Sequence, residues 1–410
     1  MIRNWVRPGG HWLLVFFSVT SMAEIVQTLG MYWVTYRLTG NATLVGVVNA
    51  TAYVPAVLAG LVFRRYADRG HASRLLGLTN RVLLIGSLLL TVVWLAGAPV
   101  PAMVGCFLAV QCSLSLVKML NKAYVGRFVR ERFDAAEARA LVSRGTSLGL
   151  AGGLAGGAVA GILLDVAGPA WCFGLTAGLY ALSIIAVRRS LAPGHPADDQ
   201  TSGQAARGAR PRKKPQPTDD ADVMVGPRTV LAFSVPSSGA LPFISTLMVP
   251  LAATLAPGRG AYYSALSMVA TVGGFAAGLL VSSERVPMPA VLRHALLLGG
   301  VLCLVLAPVH SAAMVLLLML PVSMVLTAHV ICMQVLTNQA PRPEEVGKFT
   351  TLRNSVAGAA KAGFSLLAGW VVDARGLDTA WVVLGAVLLV FSVLWWGASL
   401  AARERAVRVA

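Results

Sequence analysis

Apolar residues run through this chain in long blocks, separated by short turns that are basic or rich in glycine. The blocks fall at 11–35, 43–63, 75–97, 100–123, 141–165 and 169–188, then at 228–256, 260–283, 288–309, 311–338, 349–373 and 378–401. At about 1.5 Å of rise per residue, helices of this length cross the roughly 30 Å hydrocarbon core of a bilayer. Strands of a membrane barrel are far shorter, and otherwise only helices satisfy their own backbone in lipid. The pattern predicts an all-α integral membrane protein with twelve transmembrane helices, six on each side of a polar interval. The first block follows Arg3 and Arg7 as a signal peptide would. It continues past Glu24 to Tyr36, and so reads as a retained first helix.

Charge then gives the spans a direction. Hydrophobic residues fill 56% of the 410 positions and charged residues only 12%, about half the share of soluble domains. Lysine and arginine number 34 against 17 acids. With both termini in the cytosol, only Arg37, Arg259 and Arg375 fall outside, while Arg81 and Lys361 lie within spans. The other bases fall on inner loops and helix ends. Turns 97–100, 166–168 and 308–311 hold no base at all. This alternation follows the positive-inside rule, so the basicity encodes topology and calls for no nucleic-acid partner.

The interval 190–227 holds Asp198, Asp199, Asp219, Asp220 and Asp222, the run Arg210-Pro211-Arg212-Lys213-Lys214, and much Pro, Gly and Ala. Such a composition buries no core and reads as a disordered cytosolic linker between a bundle over 1–189 and one over 228–410. Cys106, Cys112, Cys172, Cys303 and Cys332 sit inside apolar runs without metal-type spacing, which predicts neither disulfide nor metal nor cofactor. Gly145-Thr146-Ser147-Leu148-Gly149 spells a hydrolase elbow. Here it opens a spanning helix instead of following a strand, so no enzyme is predicted.

Between the second and third blocks lies GLVFRRYADRGHASR, residues 60–74. It resembles the signature loop between helices 2 and 3 of the major facilitator superfamily. Ala67-Asp68-Arg69 match its core and Arg74 supplies the distal base, while Arg64 replaces a glycine and Ala72-Ser73 an arginine pair. The halves also echo each other: Ala160-Gly161 through Asp165 to Gly168 parallels Ala368-Gly369 through Asp373 to Gly376. The resemblance implies two pseudo-symmetric six-helix bundles, with Asp68, Arg69 and Arg74 as a cytosolic latch reaching the start of helix 11. It further implies a monomeric transporter in a bacterial cytoplasmic (inner) membrane, with a small-molecule substrate and protons as coupling ion. The chain looks most like the enterobactin-exporter-like and drug-efflux branch, which implies export of a siderophore or drug-like solute. Uptake of a small nutrient or siderophore is the alternative, and a non-transporting sensor or scaffold is the alternative of another class.

Two sets of residues are candidates for the working parts. Gly149, Gly153, Gly157 and Gly161 recur every fourth residue on the fifth span, and Gly274 and Gly278 do so on the eighth. Such smooth faces let helices approach closely, here across the two halves as the resemblance implies. Ionisable groups inside spans are costly and informative. Glu24 lies about 20 Å along helix 1 and Lys361 about 18 Å into helix 11, with His329 in the inner half of helix 10. Gln27 shares a helical face with Glu24, and Gln111 is central in helix 4. The resemblance sets helices 1, 4, 7 and 10 around a central cavity. Glu24 then becomes a candidate proton carrier, with a static Glu24–Lys361 ion pair or a Glu24–Gln27 hydrogen bond as structural alternatives. Tyr32, Trp33, Tyr36, Asn49 and Tyr53 suit a medium-sized amphipathic organic solute. Pro236 and Pro242 predict an interrupted seventh helix beside it.

Overall fold

The computed structural model describes residues 8–55, 57, 72–133, 135–190, 226–283, 286–339 and 346–409. Twelve helices account for nearly all of them: α1 Pro8–Thr39, α2 Ala42–Thr51, α3 Ala72–Leu95, α4 Val100–Arg132, α5 Ala135–Val166 and α6 Pro169–Ser190. The second set comprises α7 Pro227–Leu255, α8 Gly260–Ser282, α9 Met288–Leu306, α10 Ala312–Gln339, α11 Val346–Arg375 and α12 Leu377–Val409. Eleven are long and apolar enough to cross a membrane, and α2 is a shorter apolar helix over its described length. The interval 191–225 lies outside the described residues, as do Asp68, Arg69 and the side chain of Arg74, and with them the expected latch.

Helices α1, α5 and α6 pack together, with α3 against α4 and α6. In the second set α7 packs on α11, α8 on α10, and α9 on α10 and α12. The two sets meet where α2 lies along α11 and α5 along α8, with α2 also touching α7. Large apolar side chains stay exposed on the peripheral helices, among them Ile85 and Val92 on α3, Leu298 and Val305 on α9, and Val393 and Leu394 on α12. In water these would be unfavourable; facing acyl chains they are the expected lining.

Glycines turn the chain between helices where only a left-handed backbone fits. Gly40 (φ 62°), Gly168 (φ 84°) and Gly376 (φ 87°) close the α1–α2, α5–α6 and α11–α12 turns. These turns share one end of the molecule, the distal end, opposite the chain termini.

The interruption expected in the seventh helix is absent, and a break falls in α2 instead. α7 runs unbroken through Pro236, Pro242 and Pro250, with the Thr246 and Thr254 hydroxyls bonding the Pro242 and Pro250 carbonyls at 3.1 and 2.9 Å. The break is in α2. There Ala52 and Tyr53 bond back only three residues, to Asn49 and Ala50 (3.0 Å each), before helical bonding resumes at Val57. Pro55 explains it, because proline offers no N–H and disfavours helical backbone just before it. The hydroxyl of Ser115 on α4 then donates to the Ala52 carbonyl at 2.6 Å. Tyr53 is left at the bend, facing the other half.

Candidate functional site

Three polar groupings lie where the halves meet. The first holds charge. Glu24 on α1 pairs with Lys118 on α4 at 2.8 Å, and 55% of the Lys118 side chain remains accessible although it sits inside the apolar span. At that depth the exposed side chain borders open space, and Lys361 of the opposite half lies within its electrostatic reach. Tyr180 on α6 lies within electrostatic reach of Glu24. Across the space, the Lys361 ammonium of α11 stands over the Tyr53 ring, 5.4 Å from its centroid, a cation–π distance. Further along α11, buried Arg353 makes a long contact, 3.5 Å, to the Ser234 hydroxyl.

Glu24 therefore does not pair with Lys361, as one structural alternative had it. α4 packs beside α1 in the same half and presents Lys118 first, whereas Lys361 belongs to the opposite half. Nor does Glu24 bond Gln27. That side chain is fully buried towards α3, where it accepts from Ser87 at 3.3 Å. His329 is buried with neither ring nitrogen bonded; its helical neighbours Ala328, Cys332 and Met333 belong to an apolar cluster. The structure does not bring it to Glu24.

The second grouping is a hydrogen-bonded relay through both halves. Gln111 Nε2 donates to the Tyr32 hydroxyl (3.3 Å), which donates to Asn49 Oδ1 (2.8 Å). Asn49 Nδ2 then donates to the Thr246 hydroxyl and the Pro242 carbonyl, both at 3.0 Å. All members are buried. Buried amides that satisfy one another fix relative orientation, and on the distal side of the relay Trp33 stacks on Tyr263 with centroids 5.9 Å apart.

The third grouping closes the distal end by pseudo-symmetry. Asp373, at the end of α11, accepts from the first amides of α2: Ala42 (2.9 Å), Thr43 (2.7 Å) and the Thr43 hydroxyl (2.6 Å). Asp165, at the end of α5, does the same for α8, accepting from Gly260 and Ala261. One turn earlier stand Gly369 and Gly161. A Cβ on Gly369 would strike the Ala42 carbonyl, and one on Gly161 would come within 2.9 Å of Ala261 Cα. Glycine lets each partner helix close and the carboxylate four residues on caps it, satisfying amides at its positive end. The internal repeat seen in the sequence is this device, built twice.

The glycine face of α5 serves two neighbours. Gly149 and Gly153 meet Ser21 and Ile25 of α1, within the same half, while Gly157 meets Met268 and Gly161 meets Ala261 and Ser264 of α8. The closest backbone contacts fall on Gly152 and Gly156, against the carbonyls of Ser18 and Met22. Gly274 faces Thr327 on α10, and Gly278 has open space around it, so neither meets α5. Small residues at the start of α8 do that instead.

A family model described as the Major Facilitator Superfamily matches residues 12–364. The chain belongs to this superfamily. It is a multi-pass membrane transporter by family and fold. Among solved structures it is similar to a mutant of the nucleoside transporter NupG, with 15% identity, TM-score 0.66, and 95% of this chain and 98% of that one covered. It is also similar to a bacterial homologue of the human lysosomal transporter Spinster, inward-facing and occupied, at 12% identity and TM-score 0.70, covering 95% and 96%. No curated protein matches the sequence. At such identities the likeness is one of fold.

Lys118 was the missed member of the facilitator's centre. In the sequence it precedes Lys122, Arg127, Arg130 and Arg132, and so merged with a basic helix end. The helix runs on to Arg132, which leaves Lys118 well inside it.

Proposed function

We propose that this facilitator exports a medium-sized amphipathic organic solute from a bacterial-type cytoplasmic membrane, working as a monomer by proton-coupled alternating access. The observation that carries the reading is the Glu24–Lys118 pair bordering accessible space between the halves, while paired carboxylate caps close the distal end. With the basic loops and both termini on the cytosolic side, that arrangement is an inward-open state. Protonation of Glu24 from outside would release Lys118, and return of the proton inside would restore the pair as the cavity reverses. The same positions run backwards would serve uptake, and the sign of the solute-evoked proton flux separates exchange from cotransport.

A membrane potential of 100 mV contributes about 2.3 kcal/mol per charge moved, enough for roughly fifty-fold accumulation. Proteoliposomes carrying an internal pH-sensitive dye and challenged with amphipathic solutes are expected to show solute-evoked proton flux. Glu24→Gln should abolish that flux and its dependence on an imposed pH gradient, with insertion unchanged. Undiminished flux through Glu24→Gln would remove this carboxyl from the coupling.

A further inference from the structure

We infer that the solute is an organic anion, its acidic group received by Lys361 and its apolar body lying against Tyr53. The inference rests on the transport reading and supplies the substrate class that reading leaves open.

The centre of the molecule carries unequal charge. Among the described residues its one carboxylate is Glu24, and Lys118 already holds it at 2.8 Å. Lys361 remains within electrostatic reach of Arg353 and Lys118, two further cations. One acid against three bases leaves a formal excess of two positive charges between the halves. No carboxylate of the described residues lies within ion-pair distance of Lys361, whose contact is the face of Tyr53. An ammonium inside a span without a counter-charge is costly, and such residues mark substrate or ion pathways. A ring face offsets only part of that cost. Arg353 differs, being buried against Ser234, and so shapes the field more than it offers a contact.

The position is built. Pro55 breaks α2 just beyond Tyr53, Ser115 pins the Ala52 carbonyl, and the ring is thereby presented to α11. On that helix, Ser365 bonds the Lys361 carbonyl at 2.8 Å. A cation on one half and an aromatic face on the other form a clamp that changes as the halves rock. Lys118 is held by Glu24 at 2.8 Å, which leaves Lys361 as the cation that receives the solute.

Three probes that share one naphthyl body test the charge of the solute: 1-naphthoate, 1-naphthalenemethanol and 1-naphthylmethylammonium, titrated onto purified protein by isothermal titration calorimetry. The carboxylate should bind at least about tenfold tighter than the alcohol, the weight of one hydrogen bond to a charged group, and the ammonium weakest. Lys361→Met should erase that preference and Lys361→Arg should keep most of it. Lys361→Met should also raise the melting temperature of the unliganded protein, because an uncompensated charge is removed. Equal binding of carboxylate and alcohol, preference for the ammonium, no binding of the carboxylate, or a lower melting temperature for Lys361→Met would each overturn the inference. None of these readouts requires transport. Anion preference with no pH-driven flux would leave this inference standing and sink the coupling reading instead.

Discussion

Gly152→Leu is expected to leave little folded protein in the membrane, and Gly156→Leu nearly as little. A Cβ at 152 would fall on the Ser18 carbonyl oxygen, and one at 156 would come within 2.7 Å of the Met22 carbonyl. Both obstacles are backbone of α1, which cannot change rotamer to make room. Overpacking costs about 1–3 kcal/mol where neighbouring side chains can shift, and here α1 and α5 must part along a long shared face. Gly153→Leu is the control, because its nearest neighbour is the Ile25 Cγ1 atom at 3.6 Å, an ordinary contact with a flexible chain. Detergent-extracted yield and melting temperature should therefore drop sharply for 152 and 156 and modestly for 153. The periodicity alone singles out Gly153 and passes over Gly152, the opposite order. Normal yield and melting temperature for Gly152→Leu would refute this packing of α5 on α1.

That reversal shows where sequence reading stops. The spans were legible because lipid imposes a length and polarity on every helix, whatever packs beside it. The repeat was legible too, since duplicated residues keep their spacing, but spacing alone could not say that Asp165 caps α8 and Asp373 caps α2. Glycines every fourth residue announce close approach without naming the neighbour. α5 carries Gly152 and Gly156 beside Gly149, Gly153, Gly157 and Gly161, and so offers small residues to α1 and α8 at once. Ion pairing is harder still. Glu24 stood out because acids are rare inside spans, yet its partner depended on which helix packs at that depth. Lys118 won over Lys361 by lying in the same half. Pro55, hidden in an apolar run, bends α2, whereas the more conspicuous prolines of α7 do not interrupt that helix.

Removing both distal caps should move the protein towards a state open at that end. Asp373→Ala strips acceptors from two amides and a hydroxyl at the start of α2, and Asp165→Ala strips them from two amides at the start of α8. Losing a helix cap typically costs about 1 kcal/mol, and solvent exposure of both carboxylates keeps each near that value. The two sites are carried by different helix pairs, and their effects should roughly add. A combined bias of about 2 kcal/mol shifts the closed-to-open ratio roughly thirtyfold. Both caps bridge the halves, so the cost falls on the closed state and little on either bundle alone. Spin labels at exposed Ala96 and Ser311, on the distal turns of opposite halves, report the opening as a longer distance population, with Cys106 and Cys112 replaced by alanine. Each single variant should show part of the shift and the double variant most of it. Asp373→Asn should retain much of the closed population, because asparagine caps a helix nearly as well as aspartate; an Asn variant as open as the Ala variant would mean that charge, not amide capping, holds the gate. An unchanged distance distribution in the double alanine variant would show that the Trp33–Tyr263 stack and the Asn49 relay keep the distal end shut without the carboxylates.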